Sequence, residues 1–245
     1  MANILDRYGI KEVADVTFYA LDENGNAGAP VLYLDTLKVS TIEQTAEEAE
    51  ARGGKGNPPL IIWDYGKEIT VTLEDALFSA KSMAIMFGNG TVADMDGESL
   101  KKTLQFRGNN KPTSWTAPNG KEYAISDAKC YDGAGNEATE FVDGEVYFCT
   151  FDVKVNGAAI EISANSFPGT YYVVGDTYAR SEITGRDEFF QFIIQKAKVQ
   201  SENTITLEAE GDPSVFNMNL RVMRPADGKM MKLVKYDVSA EQPTE

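Results

Sequence analysis

A period of two runs through this chain of 245 residues. Over residues 13–21 the even positions Ala14, Val16, Phe18 and Ala20 are all apolar, and Ile69, Val71 and Leu73 alternate with Thr70, Thr72 and Glu74. The pattern returns late in the chain. Ile205, Leu207 and Ala209 are set against Thr204, Thr206 and Glu208, and Phe216, Met218, Leu220 and Val222 against Asn217, Asn219 and Arg221, with a turn signal, Gly-Asp-Pro, at 211–213. Successive side chains of a strand point to opposite faces, so each run predicts a strand with one buried face. Further strands are expected over 32–42, 60–63, 146–155, 158–163, 170–183, 188–199 and 230–238. Many strands with turns at short spacing predict a mainly β fold, an antiparallel sandwich or barrel.

Only one helix is expected with a start and a stop, over 79–87, opened by a serine cap at Ser79 and closed by Gly88. A second helix over 44–51 would have alanine as its only apolar residue and nothing to bury. That segment reads as an arm more than as a core element. From about 88 to 144 the pattern loosens into stretches rich in Gly, Asn, Asp and Pro. These read as long loops and short hairpins inserted into a single domain spanning 1–245.

Composition removes whole classes of chemistry. The chain has no histidine, which excludes Ser-His-Asp and Cys-His catalysis and most zinc sites. Cys130 and Cys149 are too far apart for a CxxC motif and read as two reduced thiols in or near strands. With 38 acidic and 23 basic residues the formal charge is −15, which opposes a nucleic-acid gripping surface as the main function. No apolar run has the length of a signal peptide core or a membrane span, so a soluble, cytoplasmically made protein is expected.

The most suggestive short motif is Arg52-Gly53-Gly54-Lys55-Gly56, followed by Asn57-Pro58-Pro59. A nucleotide cradle needs GxxxxGK, then Ser or Thr, opening a helix. Here the hydroxyl residue is missing and a strand follows. A hairpin turn and a grip on a neighbouring chain stay open. Asp22 to Asn26 and Asp94 to Glu98 offer oxygen ligands without the glutamate that closes a calcium loop, and read as turns. Glu137, Glu140, Asp143 and Glu145 read as a solvated loop. No catalytic, cofactor-binding or metal residue is assigned, and no cofactor is expected. Charge is unevenly placed: Arg221, Arg224, Lys229, Lys232 and Lys235 face one acid, Asp227, whereas 43–50 carries Glu43, Glu47, Glu48 and Glu50 with no base. Two opposed patches permit head-to-tail contact between copies.

The block "ARGGKGNPPLIIWDYGKEITVTLEDALFS", the run from "FPGTYYVVGDTYARSE" to "NLRVMRP", and the following "GKMMKLVKYD" resemble the tail tube (major tail) proteins of tailed bacteriophages and related tail-like particles. The resemblance covers most of 13–237 and is weakest between about 90 and 140. It implies a β-sandwich or barrel core with one flanking helix, copies joined in hexameric rings, and rings stacked into a hollow tube through which the genome passes without specific binding. It implies a non-enzymatic virion component made in the host bacterial cytoplasm, with no membrane. Its partners would be further copies of itself, a sheath protein, a tape-measure protein and baseplate proteins.

On this reading residues 43–59 form a projecting arm. Arg52, Gly53, Gly54, Lys55, Pro58 and Pro59 make its bend, and Glu47, Glu48 and Glu50 its acidic side. The basic run at Arg221, Arg224, Lys229, Lys232 and Lys235 is the candidate complement on a neighbouring subunit. The competing reading is a β-sandwich decoration or baseplate module that contacts host-surface glycans. It needs exposed aromatics, and Trp115, in "KPTSWTAPNG", is the better loop candidate of the two tryptophans.

Overall fold

A computed structural model describes residues 7–88, 90–206, 209 and 214–236. The strand expected over 205–209, the turn at 211–213 and the end of the strand expected over 230–238 lie wholly or partly outside them. In chain order the elements are β1 (Tyr8–Ile10), β2 (Asp15–Leu21), β3 (Ala27–Leu34), β4 (Leu37–Arg52), β5 (Pro59–Asp75), α1 (Ala80–Phe87), β6 (Ala93–Arg107), β7 (Ser114–Thr116), β8 (Glu122–Ala124), β9 (Lys129–Tyr131), β10 (Val146–Ala159), β11 (Thr170–Ser181), β12 (Asp187–Val199), β13 (Phe216–Val222) and β14 (Lys232–Tyr236). Every strand pair is antiparallel, and the fold is mainly β with one short helix. The chain divides into two compact units, Met1–Val92 with Ile160–Glu245, and Ala93–Ala159.

The first unit is one sheet in the order β3-β2-β11-β12-β13-β5-β4, with β1 added to β11 and β14 to β12. β3 and β4 lie at opposite ends of that path, yet only Asp35 and Thr36 separate them in sequence. Three peptide steps span at most about 11 Å, so the sheet must curl until its two ends meet, as in a sandwich or barrel. The enclosed core includes the alternating residues read from the sequence, Val16 and Phe18 from β2, Val71 and Leu73 from β5 and Leu220 from β13, together with Val173 from β11 and Ile194 from β12, all fully buried. Helix α1 adds Ile85 and Met86 to this core. Its start is the expected one. Ser79 Oγ accepts from the Ser82 N–H at 3.0 Å and Ser82 Oγ accepts from the Ser79 N–H at 2.9 Å, a reciprocal capping box that satisfies two otherwise unpaired donors.

The second unit is built on the long β6–β10 ladder, with β9 on the far edge of β10 and the small β7–β8 hairpin beside them. β6 is a strand of 15 residues where the sequence suggested loops and short hairpins. The two cysteines are also not reduced thiols. β9 pairs with β10 so that Cys130 lies directly opposite Cys149, and the two form a disulfide. Cys149 is fully buried among Ile125, Ala128 and Phe151. A core this small draws stability from a crosslink. Two further boundaries differ from expectation. The strand expected over 32–42 is broken at Asp35–Thr36, where the chain passes from one sheet end to the other, and the strand expected over 158–163 ends with β10 at Ala159.

Candidate functional site

β4 begins inside the core and ends outside it, and β5 returns from the outside into the core. Over Thr70–Asp75, β5 is held between β13 and β4, with Ile69, Val71 and Leu73 buried. Beyond Ile69 its only neighbour among the described residues is β4, and the outer half of the hairpin, from Glu43 to Glu68, is a two-stranded ribbon exposed along nearly its whole length. The segment 44–51, which the sequence also allowed as a helix, is therefore strand. Alanine and glutamate favour helix locally, but Gln44, Glu47, Ala49, Glu50 and Ala51 are paired across the ladder with Ile69, Tyr65, Trp63, Ile62 and Ile61, and tertiary pairing overrides weak propensity.

The bend is closed by two backbone hydrogen bonds, Gly53 N–H to Pro58 O at 3.2 Å and Asn57 N–H to Gly54 O at 3.1 Å. Gly54, Gly56 and Asn57 take positive φ of 82°, 86° and 50°. This left-handed geometry is what the Gly-Gly-Lys-Gly-Asn string serves. No helix follows it to receive a phosphate; Pro59 opens β5 instead. A second irregularity lies midway, where the register shifts between Thr45 and Glu47, and Gly66, at φ 61°, packs against the Glu47 side chain.

The register sorts the ribbon into two faces, because residues directly opposite each other share one. Ala49 pairs with Trp63, Ala51 with Ile61 and Glu47 with Tyr65, which makes one face apolar. Glu48 pairs with Asp64 and Glu50 with Ile62, which makes the other face acidic, interrupted by Leu60 and Ile62. Ile61, Trp63 and Tyr65 are 51%, 52% and 54% exposed, so nothing among the described residues covers the apolar face. These three residues are the part of the site that sequence reasoning missed. Their signal was present, three large side chains at i, i+2 and i+4, but their alanine partners on β4 became known only through the register.

The sequence-selected charges do not form one cluster. Arg52 pairs with Glu50 on its own strand, and Lys55 stands exposed at the tip. Arg221, on β13, pairs with Glu68 at the root of the ribbon. Lys229 pairs with Asp227 at 3.5 Å. Lys235 donates to Glu188 and, at 2.8 Å, to the Tyr8 hydroxyl, bonds that raise its pKa above the ordinary lysine range. Arg224 and Lys232 have no ion pair among the described residues. The basic run is thus largely neutralised within the chain, and the outer ribbon keeps the acids Glu43, Glu47, Glu48 and Asp64 unpaired among the described residues. Trp115 is not an exposed platform: it is half-buried, packing against Tyr123 and Phe151 in the second unit. The four acids at 137–145 are exposed, and among the described residues no group of His, Cys, Asp or Glu could hold a metal ion. No helix among them is long and apolar enough to cross a membrane.

In comparison with known proteins, residues 8–235 match the model of the YomU/Tube protein family. No curated protein matches the chain.

Proposed function

The chain belongs to the YomU/Tube protein family, structural proteins of the phage tail tube, and we propose that it builds that tube as hexameric rings stacked end to end, with the β4–β5 ribbon bridging from one copy to the next. The observation that carries this reading is the uncovered apolar face at Ile61, Trp63 and Tyr65. A lone two-stranded hairpin is marginal in water, and an apolar strip held outside the core gains its stabilisation from a partner surface. A contact in which one copy's ribbon meets a different surface of the next is heterologous, and such contacts close into rings or propagate into filaments.

The tube would be a conduit for genome ejection, with sheath, tape-measure and baseplate proteins as further partners. A duplex that must slide cannot be held at many phosphates. The excess of 15 negative charges per copy, with most of the 221–235 bases paired internally, supports an acidic inner wall that repels it. Such a component needs no active site of its own. Negative-stain microscopy tests the reading. Residues 46–67 can be replaced by Asn-Gly, a two-residue turn on the Thr45–Glu68 pair. The full chain should give stacked rings or tubes and the shortened chain only folded monomers; tubes from the shortened chain would refute it.

A further inference from the structure

We infer that the apolar face of the ribbon seats in one groove of the next copy, at the root of that copy's own β4. This rests on the tube reading above and adds the receiving surface. The groove has a volume of about 300 Å³, room for one or two large side chains. Its walls are Ile10 at the end of β1, Val13, and Val39 and Ile42 on β4, and its floor is Phe190 and Phe192 of β12. The four wall residues are between 39% and 54% exposed, so the groove is an open apolar trough. The floor is fixed. Phe192 is 3% exposed and its ring lies over Gly175, where an added Cβ would come within 2.1 Å of it.

Ribbon and groove match in chemistry. The rim of the groove carries Lys11 and Lys38 with one acid, Glu12. Neither lysine has an ion pair among the described residues. The incoming face is apolar except for Glu47, and the ribbon behind it is acidic. A second copy of this chain is the occupant that offers both features. The ribbon cannot serve its own groove. Ile42 and Ala49, the partner of Trp63, are seven residues apart on one strand, about 23 Å at strand rise, and folding back would break the ladder between them. The contact therefore runs between copies, from the outer ribbon of one to the root of the next, a heterologous contact that can repeat from copy to copy.

A benzophenone amino acid in place of Tyr65, on the apolar face, tests this in the full chain mixed with isotope-labelled copies. Irradiated assemblies should give crosslinks between copies to peptides containing 10–14 or 38–42. Crosslinks to the Tyr178–Phe189–Tyr236 ring cluster or to 93–159, in assemblies that still form, would overturn the groove while leaving the tube reading in place. If the unmodified full chain forms no assemblies at any concentration, the tube reading falls and the groove with it. Val39→Glu, a wall change at a 41% exposed position, should abolish assembly with an unchanged Tm. Lys38→Glu, on the rim, should weaken assembly about tenfold, the size of a charge contact of about 1.4 kcal/mol. Full assembly of both variants would overturn the proposal.

Discussion

Replacing Trp63 by alanine separates a residue that holds the monomer together from one that holds copies together. Trp63 is 52% exposed, and its ring sits on a ribbon with no third strand beside it among the described residues. A tryptophan can bury up to about 250 Å², so about 130 Å² remains for a partner to cover. At about 25 cal/mol per Å² that is about 3 kcal/mol, of which the retained Cβ keeps a small part. A loss of about 2–3 kcal/mol corresponds to about 30- to 150-fold in an association constant, in the range of an interface hot spot. The critical concentration for assembly, read by light scattering and pelleting, should rise by that factor. The monomer's Tm should move by no more than other surface substitutions do, about 0.5 kcal/mol in stability. An unchanged critical concentration would refute the reasoning, and so would a monomer destabilised by the same 2–3 kcal/mol, because the ring would then be packed within the chain.

Gly175→Ala should cost about 1–3 kcal/mol by overpacking, measured by urea denaturation, because the added methyl meets the Phe192 ring at 2.1 Å. The double change Cys130→Ser and Cys149→Ser opens a loop with a sequence separation of 19 and should cost about 3 kcal/mol; hydrogen exchange should rise within 93–159 and stay unchanged in the β11–β13 core. Asp22 and Asp132 have pKa values lowered chiefly by backbone N–H groups of Asn26 and Asn136, and Asp187 by the hydrogen bond from Arg180. Since the folded state depresses these values, their stabilisation is present above the unfolded carboxylate pKa of about 4 and is lost as pH falls below it; urea midpoints should hold between pH 7 and 5 and drop toward pH 3.

The parts of the fold that were legible in the sequence are those whose information is local. Val16 and Phe18, Val71 and Leu73, and Met218 and Leu220 announce their strands by alternation, and each pair is buried on one face. Ser79 announces its cap because the hydrogen-bond partner is three residues away. Other parts depend on partners far along the chain. β4 beyond Glu43 has a composition that favours helix and becomes strand only through β5. β6 becomes a long strand only through β10, where Leu104 lies opposite Cys149. The disulfide required the β9–β10 register. The arm's location was legible in its lack of apolar residues up to Pro59, but its working face was not. That face combines small residues of one strand with large residues of the other, and neither half alone looks like an interface.

Charge and apolar area pull in opposite directions when copies meet, and salt separates them. Each copy carries a formal charge of −15, so approach is opposed at long range. The groove rim offers Lys11 and Lys38 to Glu47 and its neighbours, a local attraction. Ile61, Trp63 and Tyr65 contribute a hydrophobic term that simple salt changes little at moderate concentration. The screening length is about 30 Å at 0.01 M and about 8 Å at 0.15 M. Raising salt across that range therefore removes the repulsion between whole copies first, while charges within contact distance at the rim are screened less. Assembly should accelerate, and its critical concentration fall, as sodium chloride rises from 0.01 to 0.15 M. If added salt instead dissolved the assemblies, ion pairs would dominate the contact, and the apolar face of the ribbon would not be what joins one copy to the next.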